Sequence, residues 1–195
     1  MKPFALTSFA FLLSLSLPLA VHAERADALK QVHADFGVVR YDKAAQKTIA
    51  TGHVVITRGT MVLDAERAEV DEAADGYRTF ILTAAPGRFA SFRVKRDGGP
   101  DLWSDGQAER IEYDERTDVV KLFSKATLRQ LEGQDVTQRM DDAFISYDQR
   151  NEVLVGRNDP AGGDRPSNGR GSMTFAPRRA LPSAAMAAAP SAPGR

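Results

Sequence analysis

The chain has 195 residues and balanced charge, with 26 lysines and arginines against 26 aspartates and glutamates. It contains no cysteine, which excludes disulfide scaffolds and cysteine-based metal or redox sites. It has no excess of basic charge of the kind that binds nucleic acid. About 170 residues follow the leader described next, a length that suits one domain.

Residues 1–23 are predicted to form a cleavable secretory signal peptide. Lys2 provides a positive start, an apolar stretch ends at Pro18, and small or aliphatic residues surround a cleavage point after Ala23. The alternative is an uncleaved membrane anchor over residues 4–21, because the apolar stretch approaches the roughly 18 residues that span a bilayer. N-terminal sequencing of exported protein distinguishes the two, since cleavage leaves Glu24 as the first residue.

The mature chain begins with alternating or β-branched runs that predict strands. Residues 32–42 are interpreted as a first strand or hairpin. Residues 48–57 form the next strand, and a turn at Gly59 leads to a partner strand at residues 60–65. Period-two alternation predicts shared faces, one with Val54 and Ile56 and one with Met61, Leu63 and Ala65.

Further strands are predicted at residues 78–82, 89–94, 119–131, 136–147 and 171–176. The stretch 119–131 is interpreted as two strands. No window outside the leader has a 3.6-residue apolar period, so the predicted fold class is all-β. Residues 178–195 are rich in Ala, Pro and Ser and are predicted to form a disordered tail.

One pattern recurs three times, at residues 65–71, 108–114 and 142–148. Each stretch alternates, ends at an aspartate, and is followed by a polar turn and another apolar run. Repeated strand–turn–strand units predict an elongated antiparallel sheet stack that buries its apolar faces by stacking. The terminal aspartates are expected to accept hydrogen bonds from nearby backbone N–H groups rather than to act as catalytic acids.

Candidate catalytic and metal-ligating residues do not form a constellation. The mature chain has His33 and His53 as its histidines, with no third ligand at a fitting spacing, so both are expected to be solvated. Nucleophile-elbow, phosphate-binding, dinucleotide-binding and EF-hand motifs are absent. The sequence therefore predicts neither an enzyme nor a cofactor or metal. A periplasmic β-sandwich enzyme remains an alternative that a turnover screen would test. Trp103 is expected to be a core or a groove aromatic, and the core is favoured.

The segment Gly52-His53-Val54, followed by Gly59 and by residues 63–71, resembles the OstA/LptA family of periplasmic lipopolysaccharide-transport proteins. The family pattern is roughly a Gly-Asn-Val strand, a Gly turn, and a Leu-x-Ala-Asp/Glu-x-x-x-x-Asp strand. His53 stands in place of Asn and Glu66 in place of Asp. Shorter matches to the family pattern follow at residues 86–89, 111–114, 145–148 and 174–177. With them, the resemblance extends over about residues 32–177.

The resemblance implies an elongated antiparallel β-jellyroll over residues 24–177, open at both ends. It implies a periplasmic lipopolysaccharide carrier that bridges the inner and outer membranes by head-to-tail self-association and shields lipid A acyl chains in an apolar groove. The implied partners are lipopolysaccharide, an LptC-type protein of the inner-membrane export complex and an LptD-type protein of the outer-membrane translocon. The alternative is an inner-membrane-anchored partner of the same route that shares this fold.

The apolar strand faces are predicted to line this groove. On pattern alone, a closed sandwich core is the more common outcome for such faces, and the resemblance is what favours a groove. The predicted groove residues are Val32, Val54, Ile56, Met61, Leu63, Phe89, Ile111, Tyr113, Val120, Leu122, Leu128, Ile145 and Tyr147.

Two sets of peripheral residues complete the hypothesis. Strand edges at residues 32–35 and 172–175 are expected to carry the contacts between copies, because unpaired edges are templates for another chain. Four basic residues are expected either to be solvated on a sheet face or to meet lipid phosphates at the groove rim: Arg58, Arg93, Lys95 and Arg96.

Overall fold

A computed structural model describes residues 30–163 and 169–177. The leader predicted at residues 1–23 and the tail predicted at 178–195 lie outside the described residues. Within them the chain forms strands and turns without a helix, so no described helix is long and apolar enough to cross a membrane. The strands are β1 (Val32–Asp35), β2 (Val38–Asp42), β3 (Lys47–Arg58), β4 (Met61–Glu72), β5 (Arg78–Thr83), β6 (Ala90–Lys95), β7 (Leu102–Ala108), β8 (Arg110–Asp114), β9 (Val119–Glu132), β10 (Asp135–Asp148), β11 (Val153–Arg157) and β12 (Ser172–Phe175).

Four long strands, β3, β4, β9 and β10, each contribute to two layers, and every pairing is antiparallel. In β3, residues 47–51 pair with β2 while residues 55–58 pair with β1. Layer A therefore runs β1-β3-β4-β6-β7-β9-β10-β12, and layer B runs β2-β3-β4-β5-β8-β9-β10-β11. This arrangement is a two-layer β-jellyroll, which confirms the predicted fold class.

The long strands bend where they pass between layers. In β3, Gly52 and His53 have φ of 84° and 54° and stand opposite one residue of β4. In β9, Ser124 and Lys125 have φ of 65° and 54° and stand opposite one residue of β10. Each pair is a β-bulge, which bends its strand. We call the line of bends the spine, and the opposite side, where the hairpin turns lie, the rim.

Two predictions about strand boundaries were wrong, both at places where the chain passes between the layers. Residues 119–131 form one bent strand, because the bulge at Ser124 and Lys125 turns the chain without ending the ladder. Residues 32–42 form two strands that pair with β3 in different layers and not with each other. Between them, the N–H of Gly37 donates to the carbonyl of Thr51 at 3.0 Å.

The repeated stretches occupy equivalent places in layer B. Each runs from the spine to the rim and directs the same two positions inward, where all are buried except Val70, which is partly buried. Cross-strand partners join these positions into two inner rows, Ala50–Ala68–Leu82–Ile111–Leu122–Ile145 near the spine and Val70–Phe80–Tyr113–Val120–Tyr147–Leu154 near the rim. The sequence repeat thus corresponds to a structural repeat, as predicted.

Layer A packs against these rows at Gly106. A Cβ atom there would lie 2.4 Å from the ring of Phe92 and 2.9 Å from the side chain of Leu122, which belongs to layer B. The absent side chain lets the two layers interdigitate, and both neighbours are fully buried. The space between the layers is therefore a packed sandwich core.

The spine bend gives a first test. Replacing His53 by Val is expected to lower the free energy of unfolding by about 1–2 kcal/mol, because a β-branched residue is strained at positive φ. His53→Asn is the matched control and is expected to keep full stability, because Asn tolerates the left-handed region. Both variants remove the exposed contact between His53 Nε2 and Asp64 Oδ2, so their difference in denaturant unfolding isolates the backbone effect. Equal stability of the two variants would contradict this explanation.

Candidate functional site

The predicted groove residues lie together between the two layers, with two exceptions. Val54, Ile56, Met61 and Leu63 are buried in layer A or at its bend. Val32 is half-buried and packs against this core from the edge strand of layer A. The remaining inner residues are almost wholly buried: Ile111, Tyr113, Val120, Leu122, Leu128, Ile145 and Tyr147.

Phe89 is the second exception, and its predicted place in the groove was wrong. It is 42% exposed and lines a cavity of about 270 Å³ on the spine, together with His53 and Asp64. Strand β6 begins one residue later, and its inward positions are Ala90, Phe92 and Val94. Core residues omitted from the predicted groove, although the same alternation marks them, include Phe80, Leu82, Phe92 and Val94.

Apolar side chains are also exposed at the two ends of the layer stack. At one end, Val38 of β2 is 68% exposed, and at the other Phe175 of β12 is 63% exposed. Strands β1 and β2 at the first end, and β11 and β12 at the second, each have one sheet neighbour. Further exposed apolar residues cluster at these ends: Phe36, Val39, Tyr41, Val153, Val155 and Met173.

The rim between the layers carries a buried polar network. Arg58, at the end of β3 in layer A, forms an ion pair with Glu115 in the β8–β9 turn of layer B, with Nη1 2.9 Å from Oε1. The two side chains are only 8% and 6% exposed. Glu115 also accepts two hydrogen bonds from the Arg78 side chain, at 3.0 and 2.9 Å. The carboxylate of Glu115 therefore binds two guanidinium groups. The sequence had predicted only a polar turn at this position.

Two tyrosine hydroxyls extend the network across the layers. Tyr113 of layer B accepts a hydrogen bond from Arg58 and donates one to Asp118 at 3.1 Å. Burial raises the pKa of the Tyr113 hydroxyl and also that of the Asp118 carboxyl. Tyr147, also of layer B, accepts a hydrogen bond from Ser104 of layer A at 3.3 Å. Polar side chains thus connect the layers at several places along the rim.

Arg96 provides a second ion pair between the layers. It follows β6 in layer A, and its Nη1 atom lies 3.6 Å from Oε1 of Glu152 in the β10–β11 turn of layer B. Of the four basic residues predicted at the rim or on a sheet face, Arg58 and Arg96 are therefore largely buried and paired across the layers.

The other two basic residues lie on the outer face of layer A. The guanidinium of Arg93 lies 4.6 Å from the centroid of the Trp103 ring, and the ammonium of Lys95 lies 6.0 Å from it. Trp103 is half-buried on this face, so the expectation of a core aromatic was wrong. Ser104, its neighbour in the alternation, points inward instead.

The remaining polar candidates have structural surroundings. His33 and His53 are largely exposed, as predicted. Asp114 and Asp148 accept backbone N–H groups of their own turns at 2.9 and 3.0 Å, which confirms their predicted role. Asp71 instead pairs with Lys47 at 3.1 Å. Across residues 30–163 and 169–177, no group of three or more His, Cys, Asp or Glu side chains is placed to hold a metal ion.

Comparisons with known proteins agree with this architecture. Residues 31–153 match the sequence profile of the family described as LptA/(LptD N-terminal domain) LPS transport protein, and the chain belongs to this family. The lipopolysaccharide export system protein LptA of Haemophilus influenzae is 27% identical over 104 residues, which are 53% of this chain and 56% of that protein. The match thus spans about half the length of that relative.

The fold has a counterpart among solved structures. LptH of Pseudomonas aeruginosa, described as the LptA homologous periplasmic component of the lipopolysaccharide transport device, superimposes with a TM-score of 0.67 at 16% identity. The superposition covers 77% of this chain and 99% of that one. The β-jellyroll is therefore shared, and the family is one of transport proteins.

The buried rim network gives a second test. Replacing Glu115 by Gln is expected to lower the free energy of unfolding by about 3 kcal/mol, because it leaves the buried charge of Arg58 without its partner. Glu109→Gln is the matched control, since Glu109 forms an exposed pair with Lys125, and it is expected to change stability by no more than about 0.5 kcal/mol. Denaturant unfolding of both variants measures the difference. Similar losses of unfolding free energy in the two variants would show that the buried rim pair stabilises the fold no more than an exposed pair.

Proposed function

We propose that this protein is a periplasmic lipopolysaccharide carrier that shields the acyl chains of lipid A between its two layers during export to the outer membrane. The observation that carries the proposal is a family jellyroll whose apolar inner face continues through both layers and is bordered at each end by exposed apolar residues. The predicted signal peptide and the similarity to LptA and LptH support the proposed periplasmic location.

Physical chemistry explains why such a carrier is needed. Exposing one acyl chain of about a dozen methylene groups to water costs on the order of 10 kcal/mol, at about 0.8 kcal/mol per group. The inner rows supply apolar surface to replace that water. Because the core is packed, we infer that the layers separate when lipid enters and that lipid takes the place of contacts between them.

The exposed ends support a bridge made of several copies. Strands β11 and β12 of one copy would add to β1 and β2 of the next, which pairs free backbone groups and covers apolar side chains such as Val38 and Phe175. Such a contact joins two different surfaces and therefore propagates as a filament. The same ends are the proposed docking surfaces for an LptC-type partner in the inner membrane and an LptD-type partner in the outer membrane.

An inner-membrane-anchored member of the same route remains the second candidate, because the leader that decides between them lies outside the described residues. Sequencing the N-terminus of exported protein separates the two. A chain beginning at Glu24 supports the soluble carrier, whereas an intact leader supports the anchored protein.

Lipid binding between the layers is tested by photo-crosslinking. Photo-reactive residues at the inward positions Met61, Leu63 or Tyr113 are expected to label lipopolysaccharide, while those at the outward positions Asp64 or Glu112 are not. A probe at Phe89 is expected to behave as an outward control, because that side chain lies on the spine. Equal labelling from both faces, or none from the inward set, would refute the carrier function.

Head-to-tail assembly is tested with two complementary variants. Val38→Glu blocks one end and Phe175→Glu blocks the other, so each variant alone is expected to remain monomeric at concentrations where the wild type forms larger species. An equimolar mixture is expected to form dimers and nothing larger, because only one productive contact remains per pair of molecules. Light scattering measures all three samples.

The single variants also distinguish this head-to-tail geometry from a two-fold dimer. If like ends joined like ends, each variant alone would still dimerise through its intact end. Assembly of either variant to the wild-type size would remove the basis for the end-to-end contact.

A further inference from the structure

The described chain passes between the two layers only on the spine side. The crossings occur within the four long strands and in the short connections at residues 36–37, 84–89 and 109. Strand β11 likewise ends, and β12 begins, on the spine side of β10. The hairpin turns on the rim, in contrast, each join strands of one layer. In the described residues, the rim therefore has no covalent link between the layers.

Among residues 30–163 and 169–177, side-chain contacts connect the two layers across the rim. Arg58 meets Glu115 and Tyr113, Arg96 meets Glu152, and Ser104 meets Tyr147, with one partner from each layer in every case. The pairs are staggered, because the partner from layer B lies further along the stack than its counterpart in layer A. Separation of the layers around the spine would break these contacts without unpairing a strand.

Separating the two layers at the rim costs less free energy with these polar contacts than it would with apolar contacts in their place. A buried ion pair gains little net free energy, because the attraction between its charges is offset by the water that both lost. Arg58 Nε and Arg96 Nε are moreover buried without a hydrogen-bond partner. Opening the rim would return water to both nitrogens and to the charged groups beside them, which offsets part of the cost of breaking the contacts.

We propose that the Arg58–Glu115 and Arg96–Glu152 pairs form a latch across the rim, and that the acyl chains of a phosphorylated glycolipid enter the core by opening it. The inference rests on the proposed carrier function and adds the entry side and the residues that control it. The spine acts as the hinge, since the left-handed bends hold the two layers together there.

A reversible lock tests the latch. The chain has no native cysteine, so Arg96→Cys with Glu152→Cys provides the only two thiols, and a bis-methanethiosulfonate reagent ties them across the rim. The readout is labelling of purified lipopolysaccharide by a photo-reactive residue at Leu63. Tethering is expected to lower labelling by about tenfold or more. A tenfold decrease corresponds to a free energy of the open state that is about 1.4 kcal/mol higher in the tethered protein. Reduction of the tether is expected to restore labelling in the same sample.

The matched control ties two positions within one layer. Glu112 and Lys121 are cross-strand neighbours in layer B, so tethering Glu112→Cys to Lys121→Cys is expected to leave labelling unchanged. A second variant weakens the latch without a tether. Glu152→Gln removes one ion pair at a half-exposed side chain, and faster labelling than in the wild type is expected.

The outcomes distinguish the two proposals. A wild-type protein that labels no lipopolysaccharide would refute the carrier function and the latch with it. A wild type that labels normally, with a tethered rim that labels equally well, would overturn the latch alone and direct lipid entry to the ends. Loss of labelling that reduction does not reverse would also overturn the latch, because the substitutions and not the tether would then be responsible.

Discussion

The architecture depends on four strands that stay unbroken while they pass from one layer to the other. A strand exposes alternate residues on opposite faces, so a simple bend would risk turning apolar side chains outward. Here two residues on one strand stand opposite one on its partner, at Gly52–His53 and again at Ser124–Lys125. This bulge keeps the apolar positions on the inner side of both layers. One continuous apolar surface results, and the spine, the rim and the two ends lie around it.

The distribution of polar groups follows from that surface. The spine is closed by the chain itself, and the ends finish in strands with one free edge each. In the described part of the chain, side chains connect the layers at the rim, and the buried ion pair of Arg58 and Glu115 lies there. An apolar rim would hide more surface from water but would resist separation more strongly. Paired charges exclude water from the closed core and are hydrated when apart, so the rim combines a closed state with a modest cost of opening.

The proposed lipid-carrier function also accounts for surfaces that a self-contained sandwich would avoid. Exposed apolar residues on free strand edges invite association, and proteins usually protect such edges. Val38 and Phe175 are instead well exposed, at opposite ends of the stack. The family to which the chain belongs is a transport family, and a repeated unit that presents complementary ends suits a path longer than one domain.

The sequence alone determined the all-β class, the strand repeat and most of the inner face, because period-two alternation is a local property that survives folding. It did not indicate the bend at Gly52 and His53, because residues 48–57 were predicted to form one uninterrupted strand. It did not reveal the equivalent bend at Ser124 and Lys125, because neither residue type is typical of a positive φ, and residues 119–131 were predicted as two strands. Only the tertiary structure placed Phe89 outside the core and Trp103 on the outer face, because it fixes which of the two alternating faces of a strand turns inward.

The rim network was equally beyond local reasoning. Arg58, Glu115, Asp118 and Gln149 lie in stretches that read as exposed polar turns, and each is partly or wholly buried in the structure. What buries them is the approach of turns from different layers, at separations such as the 57 residues between Arg58 and Glu115. Composition and spacing along the chain carry no information about that approach, which is fixed by the twist and packing of the two layers.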